Sequence, residues 1–330
     1  MTAVSIVCAG GLRMDYLITH TGHSYNGVIG GNALYSAVGA AIWQEQVGLW
    51  GRCGENYPQA WLAELAQWGI VHDGVAVIPG WQEHRTFFAY TPDGRRDDMN
   101  PAYHYGRIGH PMPEALIGYT HSTPGQDDPE RYEPLAVRPA DWPNSYGTAA
   151  AVHLAPISLC THRHVLPFLR QQGVSLITLD PGERYMIPER LPFIREMLPQ
   201  IDLFLPSSKE VWSLFGEDAD LRETAVTLHE WGAPAVIIKM GADGVLLFDG
   251  QTHYQIRPYH PPNDSRVVDV TGAGDSFCGG LAAGLVKGLP VETAVHFGMV
   301  SASLVIEGYG ALYALSRKAE AAGRLKEMAV

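Results

Sequence analysis

The amino-acid sequence predicts an α/β fold in which helices cover a mainly parallel sheet. Short apolar runs rich in β-branched residues alternate with segments whose apolar residues recur at helical spacing. This alternation is typical of parallel strands joined by helical crossovers, whose strands are buried on both faces. The predicted strands are 4–8, 150–154, 174–179, 201–205 and 235–238.

Composition narrows the class of protein. The chain has 330 residues, of which 46% are hydrophobic and 18% are charged, enough apolar material for one large core. No apolar run reaches the roughly 20 residues of a membrane span, and no signal-peptide pattern occurs, so we expect a cytoplasmic protein without a membrane partner. A net charge of −12 with dispersed basic residues argues against a nucleic-acid partner. The four scattered cysteines indicate neither a zinc site nor a disulfide framework.

The N-terminal third predicts two amphipathic helices. The first begins near Asn32, because apolar residues follow at positions 34, 37, 38, 41 and 42 and form one face. The second carries Trp61, Leu65 and Trp68 on its apolar face, and Gly69 ends it in the C′ position.

The middle of the chain, about 93–143, changes character. It is rich in Pro, Gly, His, Tyr and charged residues and has little sustained periodicity. A structureless loop of that length is uncommon in a compact domain. We therefore expect an irregular insertion with some local structure, such as a flap beside the functional site.

The most informative segment is Asp-Val-Thr-Gly-Ala-Gly-Asp, residues 269–275, which leads into a predicted helix. Gly272, Ala273 and Gly274 lack bulky side chains, so their N–H groups can approach an anion that the helix dipole favours. Asp275 places a carboxylate beside that anion, where it can accept a hydroxyl proton. The alternative is an ordinary helix start, with glycines for a tight turn and Asp275 as a first-turn acid.

This segment resembles the C-terminal signature of the ribokinase-like (PfkB) carbohydrate kinases. The resemblance extends over nearly the whole chain, since residues 30–33, Gly-Gly-Asn-Ala, are similar to the sugar-contacting glycine pair and residues 236–244 to the nucleotide-side strand and turn. It implies a single three-layer α/β/α domain, residues 1–330, with a small β lid built from segments of about 15–29 and 84–105. Family lids often pair between subunits, which implies a homodimer through the lid.

The resemblance also implies an activity, the transfer of the γ-phosphate of ATP to a hydroxyl of a sugar or sugar-like metabolite. Asp275 is then the general base, and the N–H groups of Gly272, Ala273 and Gly274 form the anion hole. The implied substrate contacts are Asp15, Gly30, Gly31, Asn32 and Tyr35, and the implied nucleotide contacts are Ser207, Glu210, Lys239, Gly241, Gly244 and Thr271.

Two metal positions follow from the same resemblance. Glu210 would position Mg²⁺ through water, and Asp269 with Val270 would hold a monovalent cation such as K⁺. Each candidate has a plainer alternative. Glu210 could be a first-turn helix acid and Asp269 a carboxylate that bonds the adjacent turn, whereas Asp15 could be a surface strand-end carboxylate and Asn32 a helix N-cap.

Some positions depart from the family pattern. Ser207 replaces the usual Asn, which shortens the polar reach toward the metal and phosphates. Tyr35 replaces a substrate-contacting Asn and could reshape the pocket toward a larger acceptor. Gly182 replaces the Asn that follows Asp180 in the family, so a structural role for Asp180 is at least as consistent. Two alternatives therefore stay open, a nucleoside kinase of the same fold and a catalytically weak, ligand-sensing member.

Overall fold

A computed structural model describes residues 3–91, 96–120 and 125–328. Residues 92–95 of the expected lid, and residues 93–95 and 121–124 of the expected insertion, therefore lie outside the described residues. None of the described helices combines the length and apolar character that a membrane span requires. The strands are β1 (Ile6–Ala9), β2 (Arg13–Ile18), β3 (Ser24–Gly30), β4 (Val47–Gly54), β5 (Ile70–Ile78), β6 (Arg85–Tyr90), β7 (Arg96–Asp97), β8 (Ala151–Leu154), β9 (Leu176–Leu179), β10 (Leu203–Phe204), β11 (Ala235–Lys239), β12 (Val245–Phe248) and β13 (His253–Ile256).

The α-helices alternate with the strands of the main sheet, as the sequence predicts. The two N-terminal helices are confirmed, and Gly69 follows the second with a positive φ of 78°. The α-helices are α1 (Asn32–Ala41), α2 (Gln59–Gln67), α3 (Pro101–Arg107), α4 (Leu159–Gln171), α5 (Leu191–Met197), α6 (Ser208–Phe215), α7 (Leu221–Glu230), α8 (Ala273–Val286), α9 (Val291–Val305), α10 (Tyr313–Ser316) and α11 (Ala321–Met328).

A nine-stranded sheet forms the centre of the fold, in the order β13-β12-β11-β10-β9-β8-β1-β4-β5. Its pairs from β5 to β11 are parallel, whereas β12 runs antiparallel to β11 and β13 antiparallel to β12. The five predicted strands are confirmed as β1, β8, β9, β10 and β11, with ends that differ by one or two residues. Strands β4, β5, β12 and β13 lie outside the predicted apolar runs. Of these, β5, β12 and β13 lie toward the edges, and β5 and β13 mix polar with apolar residues.

Both faces of the sheet are buried, which gives the expected α/β/α layers. In β1 the side chains of Ile6 and Cys8 pack in one core with α1 and α2, while Val7 and Ala9 pack in another with α4 and α7. This division follows from the pleat, because successive side chains of a strand point to opposite faces. A strand buried on both faces therefore reads as an unbroken apolar run.

Two helices on one face of the sheet, α1 and α8, approach so closely that their backbones touch. A Cβ added to Gly279 of α8 would overlap the carbonyl oxygen of Ser36, and a Cβ added to Gly39 of α1 would overlap that of Ser276. Glycine is needed at both positions because any side chain would drive the helices apart. The contact fixes the start of α1 relative to the start of α8.

A separate four-stranded sheet has the order β3-β2-β6-β7 and lies in the two segments where the lid is expected. Strand β2 pairs antiparallel with β3 and parallel with β6. Tyr16, Ile18, Phe87 and Ala89 form a small core under this sheet together with Tyr105 of α3. The role of this sheet as a lid stays a prediction.

The described part of the segment 93–143 contains local structure, namely β7, α3 and short 3₁₀ turns at Glu114–Leu116 and Pro139–Asp141. Its second half, residues 125–143, is attached to the main body of the protein by side-chain ion pairs. These pairs are Arg52 with Asp141, Arg163 with Glu130, and Arg190 with Asp127.

Candidate active site

Most of the predicted site residues meet at one edge of the central sheet. The parallel strands share a direction, so their carboxyl ends lie together: Gly10 follows β1, Asp180 follows β9, Ser207 comes soon after β10, and Lys239 ends β11. The chain leaves β1 toward β4 on one side and later adds β8 to β11 on the other side. Such a switch point opens a crevice at the carboxyl ends of the strands, where α/β proteins bind ligands.

The glycine-rich turn before α8 has the geometry of an anion site, with one correction. Gly272 is the N-cap in the left-handed region (φ 75°), and a Cβ there would overlap the ring of Tyr35. The N–H groups of Gly272 and Gly274 have no acceptor within the described residues, as an anion hole requires. The N–H of Ala273, which was expected to join them, instead donates to the carbonyl of Val270 at 3.2 Å.

Asp275 lies in the first turn of α8, as predicted. Burial raises the pKa of its carboxyl group to about 7, and the charge of Asp180 acts in the same direction. The positive charges of Lys239 and Arg96 lower the pKa of this carboxyl group. A carboxylate with a pKa close to neutrality is well matched to accept a proton during catalysis near that pH.

An ion pair between Asp180 and Lys239 borders this turn, and the sequence did not predict it. The ammonium group of Lys239 contacts Asp180 Oδ2, and Cys278 Sγ lies 3.6 Å from the same oxygen. A Cβ on Gly274 would lie 3.7 Å from Lys239 Nζ, so the ammonium lies beside Gly274. The contact with Asp180 raises the pKa of Lys239, although burial opposes its charge. Lys239 is thus a fixed cation beside the anion site.

Glu210 and Ser207 form a capping box at the start of α6. Glu210 Oε2 accepts from the N–H of Ser207 at 2.6 Å and from its hydroxyl at 2.8 Å, and Ser207 Oγ accepts from the N–H of Glu210. Glu210 is therefore a first-turn helix acid whether or not it also serves a metal. Burial, followed by the charge of Asp180, raises the pKa of Glu210 to about 7.

The donor set suits a magnesium ion that arrives with phosphates better than a resident metal. Within residues 3–91, 96–120 and 125–328, no three or more His, Cys, Asp or Glu side chains are grouped to hold a metal. Mg²⁺ bound with a nucleotide needs only one or two carboxylates, since phosphates and waters supply the other ligands. Asp180 Oδ1 is buried without a hydrogen-bond partner and fits such a role, together with Glu210.

Asp15 lies beside the predicted glycine pair on the opposite side of the crevice. Only 4% of its surface is exposed, so the alternative of a surface carboxylate is wrong. A Cβ on Gly30 would overlap its carboxylate, and the N–H of Gly31 donates to it. Burial raises the pKa of Asp15 to about 7, and Asp269 and Asp275 add to the increase. Asp15 and Asp275 therefore face a common space.

Asn32 connects the turn after β1, the start of α1 and the segment after β8 through hydrogen bonds of its side chain. Its Oδ1 accepts from the N–H groups of Gly11 and Ala33 at 2.8 Å each, and its Nδ2 donates to the carbonyl of Pro156. The N-cap of α1 is Gly31 rather than Asn32, which corrects the capping alternative. The side chain of Asn32 is largely used by the scaffold, and its contact with a substrate stays a prediction.

Tyr35 is buried between the two sides of the crevice. Its ring packs against Gly272, and only 4% of the residue is exposed. Burial raises the pKa of its hydroxyl well above the usual value, and Asp15, Asp269 and Asp275 add to this effect. The ring therefore shapes the wall between the anion site and the substrate side.

Asp269 bonds the adjacent turn, because its Oδ1 accepts from the N–H of Thr271 at 3.0 Å. This is the plainer of the two roles considered for it, and cation binding stays a prediction. Thr271 Oγ1 also lies 3.3 Å from the hydroxyl of Tyr90 on β6. The loop before α8 is thus in contact with the smaller sheet.

The turn of Gly241 and Gly244 joins β11 to β12. Gly244 has a φ of 85°, and a Cβ there would overlap the carbonyl oxygen of Ile256 at the end of β13. A cleft of about 600 Å³ lies on the far side of this strand end. It is lined by Gln255, Ile256, Arg257, Pro258, Tyr259, Arg266, His296, Glu327 and Met328.

Sequence reasoning missed three charged residues near the site, namely Arg13, Arg96 and Glu133. Arg13 carried a usable signal, because it lies two residues before Asp15 and side chains at i and i+2 of a strand share a face. Arg96 lies on a two-residue strand, and Glu133 lies in the aperiodic insertion, so periodicity gave no signal for either.

The pair of Asp180 and Lys239 gives a testable pH effect. Replacing Asp180 by Asn removes the charge that raises the pKa of Asp275 and leaves Lys239, which lowers it. We expect the acid limb of the pH profile of kcat/KM to move to lower pH. Loss of one partner of a buried pair costs about 3–5 kcal/mol, so the profile is measured well below the Tm of the variant.

The matched control is Asp202→Asn. Asp202 pairs with Arg170 at 2.9 Å, but it precedes β10 and lies at the opposite edge of the sheet. The pH profile of kcat/KM of Asp202→Asn should match that of the unmodified protein. An unmoved acid limb in Asp180→Asn would show that the two carboxyl groups are not coupled.

The family model for the pfkB family of carbohydrate kinases matches residues 170–318. The chain is 28% identical over 310 residues to a cytidine kinase of Thermococcus kodakarensis, which covers 93% of this chain and 98% of that protein.

Solved structures are similar over almost the whole length. Arabidopsis thaliana ribokinase in complex with ribose and ATP has a TM-score of 0.70 at 20% identity, and covers 98% of this chain and 99% of that one. A structure described as ribokinase II of E. coli, with ATP and Mg²⁺, has a TM-score of 0.70 at 17% identity with the same coverage. At these identities the likeness shows the fold.

Proposed function

We propose that the chain is a member of the pfkB family of carbohydrate kinases, phosphotransferases with an alcohol group as acceptor, and that it transfers the γ-phosphate of ATP to a hydroxyl of a sugar or nucleoside. The observation that carries this proposal is the juxtaposition of the Asp275 carboxylate with the free N–H groups of Gly272 and Gly274 and the ammonium of Lys239. A proton acceptor and an anion site lie side by side, as phosphoryl transfer requires.

In the proposed mechanism, Asp275 accepts the proton of the acceptor hydroxyl while the new oxygen–phosphorus bond forms and the bond to ADP breaks. The N–H groups of Gly272 and Gly274 and the ammonium of Lys239 hold the oxygens of the migrating group, where negative charge accumulates. Little covalent work is needed from the protein, so alignment of these groups supplies much of the rate. Mg²⁺, when bound with the nucleotide, would neutralise phosphate charge beside Asp180 and Glu210.

We place the remainder of the nucleotide along the ends of β11, β12 and β13. Neighbouring strands are about 4.8 Å apart, so Ile256 lies roughly 10 Å from Lys239 across two strand spacings. A triphosphate that begins at Lys239 can pass the turn of Gly241 and Gly244 and bring the nucleoside to the cleft beside Ile256. Arg257 lines that cleft and offers positive charge, whereas Arg266 in the same lining is paired with Asp264 and Glu327 adds a negative charge.

The acceptor would lie between Asp275 and Asp15, on the floor made by Gly30 and Gly31. Asp15 is buried, and the charge of Asp275 contributes to the raised pKa of its carboxyl group, so Asp15 is suited to bind other hydroxyls of the same molecule. A sugar and a nucleoside both satisfy this arrangement. The full-length similarity to a cytidine kinase favours the nucleoside.

The smaller sheet would act as a lid over this space. Tyr90 reaches Thr271 beside the anion site, and Tyr25 on β3 stacks on Tyr309 of the main body with ring centroids 4.0 Å apart. Closing the sheet excludes water from the transfer step. A homodimer formed through this lid remains part of the proposal and is checked by the oligomeric state in solution.

An assay of ADP formation with Mg·ATP and a panel of pentoses, hexoses and nucleosides tests the proposal. We expect at least one acceptor to raise ADP formation far above the ATPase background, with one phosphate transferred per ADP. Binding of acceptors without any phosphorylation would contradict the kinase function and favour a ligand-sensing role.

A further inference from the structure

Thr86 lies on the face of the smaller sheet that is turned toward the crevice. Phe87 and Ala89 of the same strand, β6, enter the small core on the other face. Successive side chains of a strand alternate between faces, so Thr86 and Tyr90 lie together on the opposite face. On that face the hydroxyl oxygen of Tyr90 lies 3.3 Å from that of Thr271, beside the anion site. Thr86 is therefore on the crevice side of the sheet.

Asp15 is the direct neighbour of Thr86 on β2. The parallel register pairs these two residues, and paired strands lie about 4.8 Å apart with their paired side chains on one face. A Cβ on Gly30 would overlap the carboxylate of Asp15, which places the pair beside the floor proposed for the acceptor. A carboxylate and a hydroxyl thus lie side by side at the substrate end of the crevice.

The hydroxyl of Thr86 is buried without a hydrogen-bond partner. No donor or acceptor among the described residues bonds to its Oγ1. The other buried threonines of the described chain all form hydrogen bonds through their hydroxyls, namely Thr19, Thr161, Thr178 and Thr224. A buried polar group without a partner destabilises the fold, so such groups are rare and call for an explanation. A bound molecule supplies the partner that the chain lacks.

We propose that Thr86 is a specificity-determining residue of the acceptor site, and that its hydroxyl and the carboxylate of Asp15 together bind one hydroxyl of the acceptor, distinct from the reacting one. This inference rests on the proposed function and deepens it by naming the substrate class, alcohols with a second free hydroxyl near the first. An ionised carboxylate only accepts hydrogen bonds, so Asp15 takes the proton of this second hydroxyl. Thr86 donates to its oxygen, and both groups of the protein are then paired.

Other groups fit this pair less well than a hydroxyl does. A carbonyl oxygen would accept from Thr86 but would face the carboxylate of Asp15 with a second acceptor. A deoxy carbon would leave both groups unpaired, and a site built to bind a substrate hydroxyl rejects the analogue that lacks it. Asp15 is 4% exposed and Thr86 Oγ1 is buried, so bulk water does not replace the missing group. The acceptor must therefore enter while the smaller sheet is moved away, as a lid allows.

The variants Thr86→Val and Thr86→Ser separate the hydroxyl from the shape of the side chain. Valine keeps the branched shape and removes the hydroxyl, whereas serine keeps the hydroxyl and removes the methyl group. The kinetic probes are cytidine with 2′-deoxycytidine and 3′-deoxycytidine, and D-ribose with 2-deoxy-D-ribose as a second series.

We expect the unmodified protein to use at least one deoxy analogue about 10²-fold less well than its parent in kcat/KM. Thr86→Val should lower kcat/KM for the parent about tenfold and leave that analogue unchanged, because only the parent loses a hydrogen bond. The preference for the parent then narrows about tenfold. Thr86→Ser should keep the preference of the unmodified protein.

Thermal unfolding without acceptor separates this role from a structural one. Thr86→Val removes an unpaired buried hydroxyl and should raise the Tm. The matched control is Thr224→Val in α7, where the hydroxyl donates to the carbonyl of Asp220 at 2.7 Å. This control should lower the Tm and keep the preference for the parent acceptor. A lower Tm in Thr86→Val would show that its hydroxyl has a partner within the folded chain and would overturn the inference.

Calorimetric binding of the same probes separates this contact from the chemistry. If the unmodified protein phosphorylates no acceptor, the proposed function fails, but parent binding that weakens about tenfold in Thr86→Val and recovers in Thr86→Ser still supports the contact. If acceptors are phosphorylated and neither series separates Thr86→Val from the unmodified protein, the contact fails alone. If neither series binds or reacts, both proposals fail.

Discussion

Replacing Asp275 by Asn should lower kcat by about 10²–10⁴-fold while nucleotide binding is retained, because general-base catalysis contributes about that factor. The asparagine side chain has nearly the same shape and keeps the first turn of α8, but it cannot accept a proton. The measurement is kcat at saturating ATP and acceptor, together with a titration of ADP or a non-hydrolysable ATP analogue. A variant with unchanged kcat would remove Asp275 from the chemistry.

The pH dependence follows from the same group. Asp275 must be ionised to act, and its pKa of about 7 lies above the usual value because of burial and Asp180. We therefore expect log kcat/KM of the unmodified protein to fall below about pH 7, where Asp15 and Glu210 titrate as well. The acid limb should be shallower in the residual activity of Asp275→Asn, because one of these three carboxyl groups is removed.

A stability measurement on Asp275→Asn distinguishes a loss of catalysis from a loss of folded protein. The folded protein binds the Asp275 proton more tightly than the unfolded chain, so this group destabilises the fold progressively as pH rises from its unfolded pKa to about 7. Asp275→Asn should then raise the Tm at pH 8. Glu292, the first-turn acid of the neighbouring helix α9, provides the control, since Glu292→Gln should change neither kcat nor the pH profile.

The parts of this fold that sequence could predict are those that local patterns encode. The strands β8, β9 and β11 are apolar runs because each is buried on both faces, and a four-residue strand of this kind is visible without any knowledge of its neighbours. The turn at 269–275 could be predicted for a similar reason, because the roles of its glycines and its carboxylate depend on neighbouring residues of the chain. Edge strands such as β13, HYQI, carry too few apolar residues to stand out.

Tertiary contacts within the site could not be predicted in the same way. Asp180 and Lys239 are 59 residues apart in sequence, and only the adjacency of strand ends in the folded sheet brings them together. The bond from the N–H of Ala273 to Val270 depends on the precise path of the turn, which composition does not specify. Glu133 required knowledge of how the insertion is attached to the main body. The local features of the chain were therefore easier to predict from sequence than the tertiary partners of its side chains.

Replacing Gly279 by Ala should destabilise the protein by about 3 kcal/mol or more, the upper range for overpacking of a core. The added Cβ would overlap the carbonyl oxygen of Ser36 and crowd the backbone nitrogen of Ala40, and backbone atoms of α1 cannot yield as a flexible side chain can. Urea unfolding measures the change. The control is Gly323→Ala in α11, where a Cβ meets nothing within 4 Å and should be neutral or stabilising by about 0.5–1 kcal/mol.

A Gly279→Ala protein that still folds should also lose activity, and the kind of loss is informative. Helix α1 carries Tyr35 against Gly272, and α8 carries Asp275, so separating the helices moves the wall of the crevice relative to the base. A displacement of about 1 Å costs roughly 10²-fold when the reacting groups must be aligned. The cleft beside Ile256 has no residue of α1 or α8 in its lining and should keep its affinity for the nucleoside part of ATP. We therefore expect kcat to fall more than nucleotide affinity, and equal losses in both would mean that the α1–α8 contact stabilises the fold without aligning the site.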